Sequence, residues 1–405
     1  MRIAVMGTRG IPARYGGFET FAEEISTRLA DRGHQVTVYC RRAFAFPNDV
    51  FDSRLRRVIL PSIHTKYLDT VSHTLLSVLH VIFSDVNAVL LCNVANSPWA
   101  WIPRLFGKRV VLNVDGLDRK RKKWNWLGRL YLLVCEALAT LTPSELVTDA
   151  KVIQEYFWKT YRKRSTMIPY GAQAPAGVKG MDGFHLSPRQ YMLYVSRLEP
   201  ENNPDTVIRA FGKVDTDWRL VVVGGNPYNE RYLRHLHSIA DPRVVFTGPV
   251  YGTRYWQLLK NAGMYVSGSE VGGTHPGLIE AMVTENLVLY RNTPENCEAV
   301  ADCGIPFSPG VEDLAAKMRS ALEHPNWRAE KGARSRARVE SIYGWDRIAA
   351  RYEGLLQGRV TPQATPVTPQ RATRPAWQSV GSGPARVPRS PTPAVQRRHV
   401  SEDGA

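Results

Sequence analysis

A chain of 405 residues, 43% of them hydrophobic, is long enough for two domains with real cores. Its net charge of +16, of which the six arginines against Glu402 and Asp403 after Val360 supply +4, calls for an anionic partner: a phosphorylated substrate, an anionic membrane or nucleic acid. Five cysteines (40, 92, 135, 297 and 303) without a CxxC pair fit a reducing cytoplasm better than a disulfide framework. Absence of any stretch of about 20 residues both apolar and uncharged argues against a transmembrane helix.

The chain opens on Met1-Arg-Ile-Ala-Val-Met-Gly7, a first strand running into a glycine turn rather than a signal peptide. An amphipathic helix over 17–32 and a strand over 35–40 follow. A helix over 69–83 precedes an apolar strand over 88–92. Strands over 109–114, 145–148 and 166–169 alternate with helices over 126–141 and 150–161. Strand and helix in alternation predict a parallel sheet covered on both faces. The Gly/Ala/Pro-rich stretch 171–188 marks a linker, and the pattern then restarts. Strands are expected over 191–195, 219–223, 244–247, 264–267 and 287–290. Helices are expected over 204–211, 230–240, 251–261 and 311–323, and one opens at Pro276. The predicted fold is therefore α/β, with two Rossmann-like domains, 1–172 and 173–357, facing each other across a cleft where ligands of open α/β sheets bind. The Pro-, Thr-, Ser- and Arg-rich segment 358–405 reads as a disordered tail.

Two glycine segments carry the chemistry. In Ser269-Glu-Val-Gly-Gly-Thr-His-Pro-Gly-Leu-Ile-Glu-Ala-Met282 a buried strand gives way to a glycine turn, and Pro276 opens a helix. Free N–H groups and the helix dipole there favour an anion, and glycine lets a phosphate come close. Glu280, one turn in, is placed to accept hydrogen bonds from ribose hydroxyls. A diphosphate beside a ribose means a nucleotide or nucleotide-sugar. An ordinary βα unit is the competing reading. In Gly7-Thr-Arg-Gly-Ile-Pro-Ala-Arg-Tyr-Gly-Gly-Phe-Glu19, Gly16 and Gly17 stand just before a second helix. The spacing is neither a GxGxxG fingerprint nor a P-loop, which counts against a dehydrogenase or a kinase.

Gly16-Gly-Phe-Glu-Thr-Phe-Ala-Glu-Glu-Ile25 followed by Arg32-Gly-His-Gln-Val-Thr-Val38 resembles the N-terminal signature of family 4 retaining glycosyltransferases. Gly7-Thr-Arg-Gly-Ile-Pro12 and Asn113-Val-Asp-Gly-Leu-Asp118 resemble one subgroup, which includes bacterial polysaccharide rhamnosyltransferases. Ser196-Arg-Leu-Glu-Pro-Glu-Asn202 and the 269–282 segment are similar to its C-terminal domain, so the resemblance covers residues 1–357.

The resemblance implies a GT-B fold with the donor held mainly by the C-terminal domain, and metal-independent transfer with no cofactor. The chain has no DxD-type carboxylate pair suited to a cation on a diphosphate. It further implies that Arg197 binds phosphate, that Glu280 holds the ribose, and that the amides of Gly273, Thr274 and His275 face the diphosphate. Three positions depart from the wider family. Asn202 stands where a lysine is usual, and Gly272 where a glutamate is usual, with Glu270 the nearest carboxylate. Asp115 stands where a histidine is common. Asp115 and Asp118 either meet the sugar or acceptor or cap a strand-end turn. The catalytic candidates are Arg197, Glu270 and Asp115. Gly16, Gly17, Arg197, Asn202, Gly272, Gly273, Thr274, His275 and Glu280 are the donor-binding candidates, and no metal ligands are expected. A front-face displacement, in which the departing phosphate takes the acceptor's proton, strictly requires no general base.

Arg119-Lys-Arg-Lys-Lys123, with Trp124 and Trp126 and an amphipathic helix beyond, suggests a surface docking on anionic lipid. The competing reading is a solvated basic turn before a core helix. The expected partners are a nucleotide-sugar donor, a lipid-linked or glycan acceptor, and the inner face of the plasma membrane. Trp99 and Trp101 either line the acceptor side or pack in the core. A nucleotide-sugar epimerase lacks its acid/base motifs here. The basic residues do not interleave with stacking aromatics, which counts against a nucleic-acid binder.

Overall fold

A computed structural model of the chain describes residues 1–359, apart from 15, 66, 67, 123, 182, 227 and 228. Lys123, and the tail reading beyond residue 359, lie outside the described residues.

The first half forms β1 (Arg2–Met6), α1 (Gly17–Asp31), β2 (Gln35–Arg41), β3 (Arg56–Leu60), α2 (Leu68–Ile82), β4 (Ala88–Cys92), α3 (Trp101–Leu105), β5 (Arg109–Val114), α4 (Trp126–Ala139), β6 (Glu145–Thr148), α5 (Lys151–Tyr161) and β7 (Thr166–Met167). Its seven strands are parallel in the order β3-β2-β1-β4-β5-β6-β7. Period-two alternation sends Ile3 and Val5 to one face, against Phe21, Ile25 and Leu29 of α1. Ala4 and Met6 go to the other, against Val78 and Val81 of α2. Strand β4 is buried along its whole length, which explains its unbroken Ala-Val-Leu-Leu-Cys run.

The second half forms β8 (Tyr191–Val195), α6 (Pro204–Gly212), β9 (Arg219–Val223), α7 (Glu230–Ser238), β10 (Val244–Gly248), α8 (Gly252–Asn261), β11 (Met264–Ser267), α9 (Pro276–Val283), β12 (Leu287–Arg291), α10 (Pro294–Val300), β13 (Ile305–Phe307), α11 (Val311–Glu323), α12 (Pro325–Ile342) and α13 (Trp345–Leu356). Its six strands are also parallel, in the order β10-β9-β8-β11-β12-β13.

Strand order reverses between β1 and β4 in the first sheet and between β8 and β11 in the second. Crevices beyond the carboxyl ends of strands at such switch points are where open α/β sheets bind ligands. The loops after β1, β5, β8 and β11 carry sequence candidates to these ends.

Residues 345–357, grouped by sequence with the second domain, pack with the first. Helix α13 lies on α1, β4 and β5. Tyr352 sits 5.2 Å from Phe21, Arg28 bonds Asp346 at 3.0 Å, and Arg109 Nε donates to the Leu355 carbonyl at 2.6 Å. An apolar stripe of Trp345, Ile348, Ala349, Tyr352 and Leu356 drives the docking, and burial of each large side chain there is worth about 1.5–3 kcal/mol. The chain therefore crosses between sheets twice. At the crossing a Cβ on Gly171 would stand 2.4 Å from the Trp345 ring, so only glycine fits.

Candidate functional site

The two glycine segments meet. Gly17, the first residue of α1, lies against Pro276, the first of α9: a Cβ on Gly17 would stand 2.7 Å from Pro276 Cγ. Two helix N-termini thus face one another across the cleft, and their dipoles favour an anion between them. The loop before α1 is folded back by its own helix. Glu19 accepts from the Arg9 amide at 3.0 Å and Glu23 from the Ala13 amide at 2.8 Å.

Three glycines make the approach of the halves possible. Gly116, at φ +118°, rests on Gly272, and a Cβ there would lie 2.7 Å from the Gly272 carbonyl carbon. A Cβ on Gly273 would stand 2.0 Å from an Asp149 carboxylate oxygen. Asp149, at the end of β6, is the cross-cleft contact that sequence reasoning missed. Its Oδ2 accepts from the Thr274 amide at 2.8 Å, and its carbonyl accepts from the Thr274 hydroxyl at 2.7 Å. The Thr274 amide, expected to face a diphosphate, is held by a carboxylate here. Burial pushes the Asp149 carboxyl well above its ordinary range, and Asp115 adds to the shift. Only a strand-end Thr-Asp pair marked this position in the sequence.

His275 does not point at the anion seat. Its Nδ1 lies 2.8 Å from Asn296 Oδ1. Asn296 Nδ2 already donates to the carbonyls of Ser269 and Arg291, so Oδ1 is the acceptor and His275 Nδ1 carries the hydrogen. Burial pushes the imidazole pKa down, keeping the ring neutral. His275 and Asn296 together clamp the ends of the glycine loop. Asn202 is a staple too: Nδ2 donates to the Arg197 carbonyl at 2.8 Å and Oδ1 accepts from the Ser269 hydroxyl at 3.1 Å. It supplies shape where the wider family has charge.

Arg197 follows β8, is one-third exposed, and reaches Glu199 only at 3.9 Å. Asp115 follows β5, and burial with the neighbouring Asp118 lifts its carboxyl to about 7 against the pull of Arg121 and Arg197. Asp115 and Arg197 therefore share one charge cluster built from both halves.

Two of the four described residues of the basic stretch, Arg119 and Arg121, turn inward to acidic partners. Arg119 pairs with Glu136 at 3.0 Å and bonds Tyr156 at 2.8 Å. Arg121 pairs with Asp118 at 2.7 Å. Lys122 reaches Glu270 at 3.3 Å, across the cleft. Lys120 is exposed, and Trp124 packs against the core of the first sheet. The second partner of Glu270 is Arg291 at 2.5 Å. The Arg291 pair is mostly buried and close, whereas Lys122 is 58% exposed, a setting in which ion pairs contribute about 0–1 kcal/mol. Arg291 is therefore the firmer anchor of Glu270, and Lys122 the weaker contact.

Glu280, on α9, is buried and accepts from the Tyr255 hydroxyl at 2.5 Å. Burial lifts its carboxyl from 4.5 to about 7, opposed by that hydrogen bond. The folded chain thus keeps a proton that the unfolded chain releases. The stability this supplies is complete below about pH 4.5 and is lost as pH rises to about 7. Glu280→Gln is expected to flatten that part of the Tm-against-pH curve, leaving the portion due to Asp115. Melts between pH 5 and 8 check it, and an unchanged slope contradicts it.

Trp99 packs against the first sheet's core, while Trp101 is exposed on α3. Near it, α4 carries an exposed apolar face of Trp126, Leu127, Leu130, Val134 and, just beyond its end, Leu141. The carbonyls of Leu141 and Thr142 accept from Arg104, joining this face to α3. No described helix is long and apolar enough to cross a membrane.

Two family models match parts of the chain. Residues 184–338 match glycosyl transferases group 1, and residues 1–57 and 80–173 match a domain of unknown function, DUF1972. No curated protein matches in sequence. Among solved structures, sucrose-phosphate synthase of Thermosynechococcus elongatus is 18% identical, with a TM-score of 0.74 over 88% of this chain and 98% of that one. HepE of Anabaena, in complex with UDP and glucose, is 16% identical, with a TM-score of 0.70 over 88% of this chain and 100% of that one. WaaG, a glycosyltransferase involved in lipopolysaccharide biosynthesis, is 17% identical, with a TM-score of 0.67 over 88% and 100%. Two facing parallel sheets with a cleft at their switch points define a GT-B fold. The group 1 match over residues 184–338, on this fold, supports a glycosyltransferase.

Proposed function

We propose that the protein transfers a sugar, with retention and without a metal ion, from a nucleotide-sugar to a lipid-linked or polysaccharide acceptor in surface-glycan assembly. The observation that carries this reading is the meeting of the α1 and α9 N-termini, Gly17 against Pro276, with Glu280 buried one turn into α9 and Arg197 in the charge cluster of Asp115. The leaving diphosphate meets Arg197 and the helix ends, and Glu280 takes the ribose. Asp115 and Glu270 flank the place left for the sugar. The favoured donor is dTDP-rhamnose, on the resemblance of the Gly7–Glu19 and Asn113–Asp118 segments. A UDP-sugar is the second reading, favoured by the likeness to HepE, whose structure also exists in complex with UDP-glucose.

Thermal shifts with dTDP, UDP, GDP and ADP test the reading. Stabilisation by dTDP alone, lost in Glu280→Ala, supports rhamnose and the ribose role. Stabilisation by UDP or GDP discards rhamnose. No shift with any of them removes the nucleotide-sugar reading.

The lipid-linked acceptor places the protein at the inner face of the cytoplasmic membrane. The α4–α3 apolar face supports this, with Arg104 and Arg129 exposed on the same helices and Glu136, the acidic residue of α4, turned inward against Arg119. Leu130→Glu is expected to lower binding to anionic liposomes about tenfold or more while nucleotide affinity holds. Equal liposome binding by the variant counts against the membrane role.

A further inference from the structure

The glycine loop 269–275 carries Glu270 as its second residue, and the segment that covers it comes from the other half of the chain. Gly116 rests on Gly272, and six residues on, Lys122 spans the cleft to Glu270. A departing nucleoside diphosphate needs more cationic charge than one guanidinium supplies. Asn202 brings none, being stapled to the Arg197 carbonyl and Ser269. Arg291 is held by Glu270, and Arg121 by Asp118. Lys122 is different: it is more than half exposed, its one ion pair is the longer of the two that Glu270 makes, and Glu270 keeps Arg291 when Lys122 leaves.

We propose that Lys122 is the second cation of the donor diphosphate, delivered from the N-terminal domain and parked on Glu270 until the donor arrives. This rests on the nucleotide-sugar reading above. On donor binding the Lys122 ammonium exchanges the Glu270 carboxylate for a phosphate oxygen, and Glu270 stays on Arg291. The lysine and Arg197 then grip the diphosphate from opposite halves, so the charge of the leaving group itself draws the cleft shut. Part of the basic stretch that sequence assigns to a membrane thereby serves the cleft.

The test compares diphosphates with monophosphates by calorimetry: dTDP with dTMP, UDP with UMP and GDP with GMP, on the unaltered full chain and on Lys122→Met, which keeps the aliphatic stem. For the pair that binds, the unaltered chain is expected to favour the diphosphate, and Lys122→Met to cut that preference about tenfold while monophosphate affinity stays within twofold. Glu270→Gln, which releases the lysine early, is expected to raise diphosphate affinity. A preference unchanged in Lys122→Met, or a matching loss of monophosphate affinity, overturns the proposal with the nucleotide reading intact. Absence of binding by the unaltered chain overturns both.

Discussion

Replacing Arg197 with alanine is expected to lower turnover by roughly two to three orders of magnitude with little change in Tm. Its side chain is one-third exposed, and its ion-pair partner, Glu199, stands 3.9 Å away. A side chain so loosely held contributes little to folding. It nevertheless follows β8 in the charge cluster of Asp115, where the proposed function has negative charge grow as the glycosidic bond breaks. In the metal-independent transfer proposed above, that charge falls to hydrogen-bond donors. Arg197→Lys is expected to recover part of the loss, because a point charge replaces a planar fork. Steady-state rates on a labelled donor, with melts as the fold control, decide the matter. Turnover within threefold of the unaltered chain would remove Arg197 from the transition state.

The second large effect comes from a single added methyl. Gly273→Ala places a Cβ 2.0–2.2 Å from both carboxylate oxygens of Asp149. The clash lies between the halves and not inside either core, so each sheet keeps its packing while the cleft is held open. A misplacement of about 1 Å between reacting groups can cost roughly 100-fold in rate, and turnover is expected to fall at least that far. The double variant Gly273→Ala with Asp149→Ala removes the obstruction and is expected to regain activity relative to Gly273→Ala alone, a non-additivity that marks direct contact. If the double variant is no better than the single one, the loss has another cause.

Local features were the legible ones. Strands β1, β4, β5 and β8 declare themselves by apolar runs, and the glycine loops by a backbone demand that no other residue meets. Arg197, Gly273 and Glu280 are site candidates from sequence because each lies in a motif whose residues are neighbours along the chain. Asp149 was not, since its partner Thr274 is 125 residues away and no spacing rule connects them. The inward turn of Arg119 and Arg121 was hidden for the same reason. A run of like charges looks solvated until Glu136, Asp118 and Glu270 are brought to it by the fold. Helix α12 was missed because its Arg-rich sequence offers little apolar periodicity. Strand β3, at the sheet's edge, is only half-buried.

The return of α13 to the first sheet has a consequence for biosynthesis. Arg28 waits for Asp346, which is 318 residues later in the chain. At about 5–20 residues per second that is a delay of roughly 15–60 s. The apolar cluster on one face of the second sheet draws only on residues 192–322, so that layer can close on the ribosome before the first domain is complete. The amino-terminal half, made first, is thus finished last. Until α13 emerges, Phe21 lacks the Tyr352 ring that packs on it. Pulse proteolysis of stalled nascent chains ending before and after residue 356 should show protection of the first domain only in the longer ones; equal protection in both would show that α13 is a late addition to a finished core.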